Sequence, residues 1–216
     1  MGNKNAYGVK TDGTLFTWGN NEHGQLGQNN VDVLYSSPVQ LPGTTWSSGK
    51  YKWGGGYRYT TTVKTDGTLW VWGNNEYGQL GQNNKTQRSS PVQVPGTTWK
   101  YASAGPHGYN VAATKTNGTL WTWGNNSEGC LGHNNVIKYS SPTQIPGTTW
   151  DRVDVGHTLV TATKTDGTLW SWGQENFGAL GHGDVVKRSS PIQIPGTWSH
   201  PLASPWSSFN GGLKAI

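Results

Sequence analysis

The sequence predicts an all-β propeller built from four tandem repeats of about 50 residues, and three observations carry that expectation. The first is a motif, Lys-Thr-Asp-Gly-Thr-Leu, then an aromatic, one residue and Trp-Gly. It runs from Lys10 to Gly19, Lys64 to Gly73, Lys115 to Gly124 (with Asn117 for Asp) and Lys164 to Gly173. The starts are 54, 51 and 49 residues apart (10 to 64, 64 to 115, 115 to 164). A period of that length marks an array in which each unit buries its apolar face on the next. The second is the Asp-Gly or Asn-Gly pair between alternating segments, the strongest short-range hairpin signal, with both central residues expected at positive φ. The third is that no segment sustains a helical period, which leaves several short strands per unit, as in a propeller blade.

Each unit reads the same way. A strand ending at Val9, Val63, Thr114 or Thr163 leads into the turn, and the Thr-Leu-Trp-x-Trp strand leaves it. Side chains alternate across a strand, so Leu69 and Val71 face one way and Trp70 and Trp72 the other. Both faces are apolar, bulky against smaller, as a sheet held between two neighbours requires. The Trp-Gly-Asn-Asn-x-x-Gly-Gln-Leu-Gly segment that follows is a tight irregular loop. Ser-Ser-Pro-x-Gln-x-Pro-Gly-Thr, from Ser36, Ser89, Ser140 and Ser189, reads as an edge strand, where a missing N–H costs little. A further strand follows Trp46, Trp99 or Trp150. The units are 1–45, 46–98, 99–149 and 150–197, with 198–216 a candidate closing tail. Trp53 to Val63 and Trp206 to Ile216 are equally spaced, so the tail is expected to stop where Lys-Thr-Asp-Gly would begin and to supply outer strand to the first blade.

Composition narrows the function classes. Of 216 residues 12% are charged and 32% apolar, with 32 Gly and 13 Trp, so tryptophan supplies the core. The net charge of +5 is spread along the chain without a basic run, and no nucleic-acid partner is expected. Cys130 is the single cysteine, which excludes an intrachain disulfide and a cysteine zinc cluster. Its column also holds Gln25, Gln79 and Ala179, so it is no nucleophile. No apolar run suits a membrane span, and no signal-peptide core is seen.

The string Asp-Gly-x-Leu-Trp-x-Trp-Gly-x-Asn-x-x-Gly-Gln-Leu-Gly, with a downstream Pro and Gly156-His157 before a hairpin strand, resembles the regulator of chromosome condensation repeat. Near-identity among the repeats looks most like bacterial or phage-encoded members. The resemblance implies a propeller, normally of seven blades, where this chain has four. It also brings the guanine-nucleotide exchange associated with the founding member. That role goes with a wedge-like insertion, and the near-constant spacing leaves no room for one.

No catalytic site, cofactor or metal is expected. Glu22 and Glu76 share a column that Glu128 and Glu175 miss by one place, so no carboxylate pair repeats. His23, His107, His133, His157, His182 and His200 are scattered and lack metal-ligand spacing. Repeated tryptophans are blade core rather than sugar platforms. The loop amides (Asn20-Asn21, Asn74-Asn75, Asn125-Asn126, Gln28 to Asn30, Gln82 to Asn84) serve their own backbone or sugar hydroxyls. The column before Ser-Ser-Pro holds Tyr35, Arg88, Tyr139 and Arg188, residue types that suit recognition, and these are the candidate binding residues of one rim. The expected role is non-enzymatic: an interaction or structural propeller on a phage particle or microbial surface, with protein neighbours or its own copies as partners. The alternative is a lectin-like binder of host glycans.

Overall fold

The computed structural model describes residues 4–49, 52–55, 58–105, 109–174, 176–203 and 210–214. Its described residues contain strands and loops and no helix. The first sheet holds β1 (Asn5–Val9), β2 (Leu15–Gly19) and β3 (Tyr35–Leu41). The second holds β4 (Trp53–Gly55), β5 (Tyr59–Val63), β6 (Leu69–Gly73) and β7 (Arg88–Val94). The third holds β8 (Trp99–Ala104), β9 (Asn110–Lys115), β10 (Leu120–Gly124) and β11 (Tyr139–Ile145). The fourth holds β12 (Trp150–Val155), β13 (Leu159–Lys164), β14 (Leu169–Gly173) and β15 (Arg188–Ile194). A two-stranded sheet of β16 (Trp198–Ala203) and β17 (Asn210–Lys214) follows. Every pairing is antiparallel and joins neighbours in sequence, as in propeller blades.

Packing between sheets involves mainly the first and second strands of each blade: β4 and β5 against β8, β8 and β9 against β12, and β12 and β13 against β16. These strands are therefore the hub, and the Ser-Ser-Pro strands are the outer edge. Lys100 of β8 pairs with Asp151 of β12 at 2.6 Å, and Ser103 Oγ donates to Asp154 at 2.9 Å, so the hub contact is polar.

Each junction has its own apolar core. Trp72 lies with Leu15, Leu41 and Trp46. Trp123 lies in the cluster with Leu69, Leu80, Val94 and Trp99, and Trp172 in the one with Leu120, Ile145 and Trp150. Trp46, Trp99 and Trp150 meet the third-strand tryptophans of their own units edge-on or tilted, with centroids 5.9 to 6.4 Å apart, a favoured aromatic geometry. Both faces of the Thr-Leu-Trp-x-Trp strand are packed, as its alternation implies.

Ser-Ser-Pro lies on the sheet edge as expected, and it does so in a bulge. Between the Val71–Val92 and Gly73–Arg88 pairs, β7 advances four residues while β6 advances two. Pro91 sits in that excess, where no ladder N–H is required.

Two expectations are corrected. The hairpin turn is longer than a two-residue one: Gly13 N–H donates to Lys10 O at 2.9 Å and Lys10 N–H to Thr14 O at 2.9 Å. Only the glycine has positive φ (81° at Gly13), because a three-residue loop needs one left-handed position to close its bulge. Asp12 instead accepts from Thr14 N–H and Oγ1 at 2.9 and 2.7 Å, and Asp66, Asn117 and Asp166 do likewise.

The second correction concerns the tail. Lys214 pairs with Trp198 as Lys115 pairs with Trp99 and Lys164 with Trp150, so Lys214 fills the lysine column, two residues before the expected stop. The cause is that Trp198, not Trp206, heads this unit; its N–H donates to Gly167 O as that of Trp150 does to Gly118 O. The tail supplies hub strands rather than outer ones and packs on β12 to β14. Trp206 and Ile216 lie outside the described residues.

Two substitutions test this packing. Trp72→Ala should cost about 3–5 kcal/mol in denaturant unfolding, as large buried aromatics do. A Cβ at Gly78 would strike Ser140 at 2.6 Å, whereas at Gly178 it would meet nothing within 4 Å, though φ is positive at both. Gly78→Ala should therefore lower Tm well beyond Gly178→Ala; equal losses would mean the loop does not seat on the next blade.

Candidate interaction surface

The loops between third and fourth strands form the rim opposite the hairpin turns, and their amides are spent internally. Asn21 accepts from Leu26 N–H at 2.9 Å and donates to Asn30 O at 3.0 Å. Asn75 and Asn126 repeat both bonds. Gln25 donates to Asn20 Oδ1 and accepts from His23 N–H, and Gln79 does the same with Asn74 and Tyr77. The loop-backbone reading of these amides holds, and little is left for a sugar.

The same loops reach the next blade through their main chain. Trp72 Nε1 donates to Gln25 O at 2.8 Å, Trp123 to Gln79 O at 2.9 Å and Trp172 to Cys130 O at 2.9 Å. The column that accepts Gln, Cys or Ala thus works through its carbonyl. Cys130 is buried, and burial pushes its thiol up to about 12, which leaves it inert.

Among the described residues, equivalent grooves lie between blades, one of about 440 Å³ beside Trp150, Lys164 and Trp170 and one of about 380 Å³ beside Trp99, Lys115 and Trp121. Lys164 Nζ lies 4.8 and 4.2 Å from the two ring centroids, and Lys115 Nζ 4.6 and 4.5 Å. The ammonium takes the aromatic face that a stacking sugar would need.

Tyr35, Arg88, Tyr139 and Arg188 do occupy equivalent places, since Tyr35, Arg88, Tyr139 and Arg188 pair with Gly19, Gly73, Gly124 and Gly173. All four are half-buried rather than standing out from the rim. Asn30 donates to Tyr35 Oη at 2.7 Å, and Asn135 to Tyr139 Oη at 3.0 Å. Arg188 pairs with Asp184 at 2.6 Å. Arg88 differs: its Nε is buried without a hydrogen bond.

The more prominent feature was missed in the sequence. Val136 and Ile137, and Val185 and Val186, stand exposed beside this column, Ile137 at 59% and Val185 at 65%. Val31 and Val33 flank Tyr35 similarly. Their signal was present: adjacent β-branched residues inside a loop otherwise made of Asn, Gly and charge. Among the described residues no three His, Cys, Asp or Glu side chains are grouped to hold a metal, and no helix is long and apolar enough to cross a membrane. Glu175 and His107 lie outside the described residues.

His133 Nε2 lies 2.9 Å from Thr122 Oγ1, and burial holds its imidazole below the ordinary value. Its stabilising contribution is therefore present above the ordinary pKa of about 6.5 and lost as pH falls through the lower folded value. His133→Gln, which copies Gln82, should flatten part of that acid loss in thermal unfolding; an unchanged pH profile would contradict it.

The family model described as "Regulator of chromosome condensation (RCC1) repeat" matches residues 12–48, 66–108, 117–162 and 166–207. The Ultraviolet-B receptor UVR8 of Arabidopsis thaliana is 28% identical over 71% of this chain and 35% of its own length. The human probable E3 ubiquitin-protein ligase HERC3 is 30% identical over 67% of this chain and 14% of its own. The structure of human WBSCR16 superposes with a TM-score of 0.79 at 23% identity, over 97% of this chain and 55% of that one. Prp20p from Saccharomyces cerevisiae, whose structure is described with its binding to Gsp1p and histones, gives 0.79 at 17% identity, over 100% and 55%. These likenesses to solved structures establish the fold. The chain spans about a third or less of the curated relatives named and about half of the solved ones.

Proposed function

Because this chain belongs to the regulator of chromosome condensation (RCC1) repeat family, we propose that it is a non-enzymatic module that binds a protein partner through the loop rim. The observation that carries the reading is the repeated exposure of paired apolar residues, Val136-Ile137 and Val185-Val186, next to the half-buried Tyr and Arg column. Exposed apolar patches rimmed by polar groups favour protein contacts over solvent. Arg88 adds a half-buried guanidinium to the same column, and its charge suits a carboxylate. Prp20p, of the same fold, is described as binding the proteins Gsp1p and histones, which fits a protein partner.

Two other readings have less behind them. A glycan would meet loop amides already bonded and tryptophan faces already covered by lysine. The near-constant spacing of the four motifs gives no support to the inserted wedge that goes with nucleotide exchange. The expected place on a phage particle or microbial surface has no feature behind it here, and the relatives named above are from plant, human and yeast.

The test is quantitative capture of proteins on the immobilised chain, compared with a Val136→Asp/Ile137→Asp variant and with Arg88→Ala. The apolar variant should keep its Tm and lose most of the specific capture; Arg88→Ala should weaken it more at low salt, where screening is least. Capture that is unchanged in both variants would move the site elsewhere, and selective signal on a glycan array would favour the lectin reading.

A further inference from the structure

The grooves between blades are alike in shape and unlike in charge. In both, a lysine ammonium lies between two indole rings, and neither lining holds an acidic residue. The residue two places after the lysine separates them. Lys64 has Asp66 and Lys164 has Asp166, each pair coupled by charge. Lys115 has Asn117 instead, the one departure from Asp in the four turns.

The turn keeps its form under that change. Asn117 Oδ1 accepts from Thr119 Oγ1 at 2.8 Å, as Asp66 accepts from Thr68 Oγ1 at 2.6 Å. What is lost is a carboxylate beside the groove. Burial therefore acts on Lys115 without an acidic neighbour to offset it, and holds the ammonium below its ordinary pKa.

The half-buried Lys115 finds aromatic faces on two sides, which attract a cation and offer it no oxygen. Across the same groove, Asn83 Oδ1 accepts from Ser141 Oγ at 3.2 Å, which leaves the Asn83 amide N–H groups to a ligand. The groove of about 380 Å³ is thus a set of donors on tryptophan and proline walls. Its unmet requirement is a single negative charge with oxygen acceptors.

We propose that the Trp99 groove binds a carboxylate, the side chain of a glutamate or aspartate in an acidic segment of a protein partner. One ammonium balances one charge, whereas a phosphate dianion between such walls would keep a charge uncompensated. A lysine and an amide are also enough donors for the two oxygens of a carboxylate. Assigning the carboxylate to a protein side chain rests on the rim reading. Ser141 and Pro142, which line the groove, follow the exposed Val136 and Ile137 on one stretch of chain, so a single partner segment can meet both. The groove's preference for an anion stands without that reading.

The test is calorimetric titration of the 216-residue chain with capped hexaglutamate, which carries no apolar group for the valine pair. The peptide should bind, and capped hexaglutamine should not. Asn117→Asp copies the other three turns and returns a carboxylate to Lys115; it should keep Tm and weaken hexaglutamate by about threefold or more. Lys4→Gln is the control, because it removes the same unit of charge from an exposed site and should change affinity by less than twofold. Lys115→Gln should remove most of the binding. Equal losses in Asn117→Asp and Lys4→Gln would show attraction to net charge alone and overturn the groove. So would a parent that ignores hexaglutamate. A heparin hexasaccharide that binds more tightly than the peptide, with the same loss in Asn117→Asp, would give the groove to a sulfated glycan and overturn the protein assignment. Because the probe bypasses the rim, failure of the rim variants to change protein capture would leave this result standing.

Discussion

A tryptophan that no single blade can bury is the constraint on which this molecule depends. Trp72, Trp123 and Trp172 each project from a third strand toward the preceding unit, which provides leucine side chains and a loop carbonyl for the indole N–H. A buried indole without an acceptor would cost free energy, so the loop must arrive with its carbonyl in place. The loop is in turn shaped by a buried asparagine that bonds its own backbone, and by glycines at positive φ that let it lie against the neighbouring strand. Blade, loop and neighbour are therefore stable together and marginal apart, which is the energetics of a repeat array.

This division of labour explains where variation falls. Positions that work through the main chain tolerate any side chain that fits: Gln25, Gln79 and Cys130 present the same carbonyl. Positions that hold the loop from within remain Asn21, Asn75 and Asn126. Outside this frame, 31–34, 85–87, 136–138 and 185–187 are free to differ, from the apolar Val31, Val136 and Val185 to Lys85 in the second blade. Function in such a scaffold resides in grafted surface, so the rim carries specificity while the junctions carry the fold.

Much of this was legible in the residues. The period, the Asp-Gly hairpins, the two-faced tryptophan strand and the proline edge strand all follow from local rules that tertiary context does not override. Other features depend on main-chain geometry that side-chain identity conceals. The turn at Gly13 looks like a two-residue loop until Asp12 is seen to bond Thr14 instead of adopting positive φ. The tail misleads because the unit after Trp46 carries extra residues before β4, so counting from Trp53 sets the wrong register and Lys214 rather than Ile216 marks the column. Tyr35, Tyr139 and Arg188 promised an open rim, yet Asn30, Asn135 and Asp184, four or five residues earlier, draw them inward. The exposed valines are hard to see in the sequence because Asn and Gly dominate the loops that carry them.

Hydrogen exchange resolved to single sites tests the junction most directly. If the loop-to-blade bonds hold the array together, the indole N–H groups of Trp72, Trp123 and Trp172 and the loop amides of Asn29, Asn83 and Asn134 should exchange as slowly as the strand amides of β6 and β10, through global unfolding. Exchange of these six groups at the fast rates of exposed loops, with the strands still protected, would show that the blades stand without their loops and contradict the account.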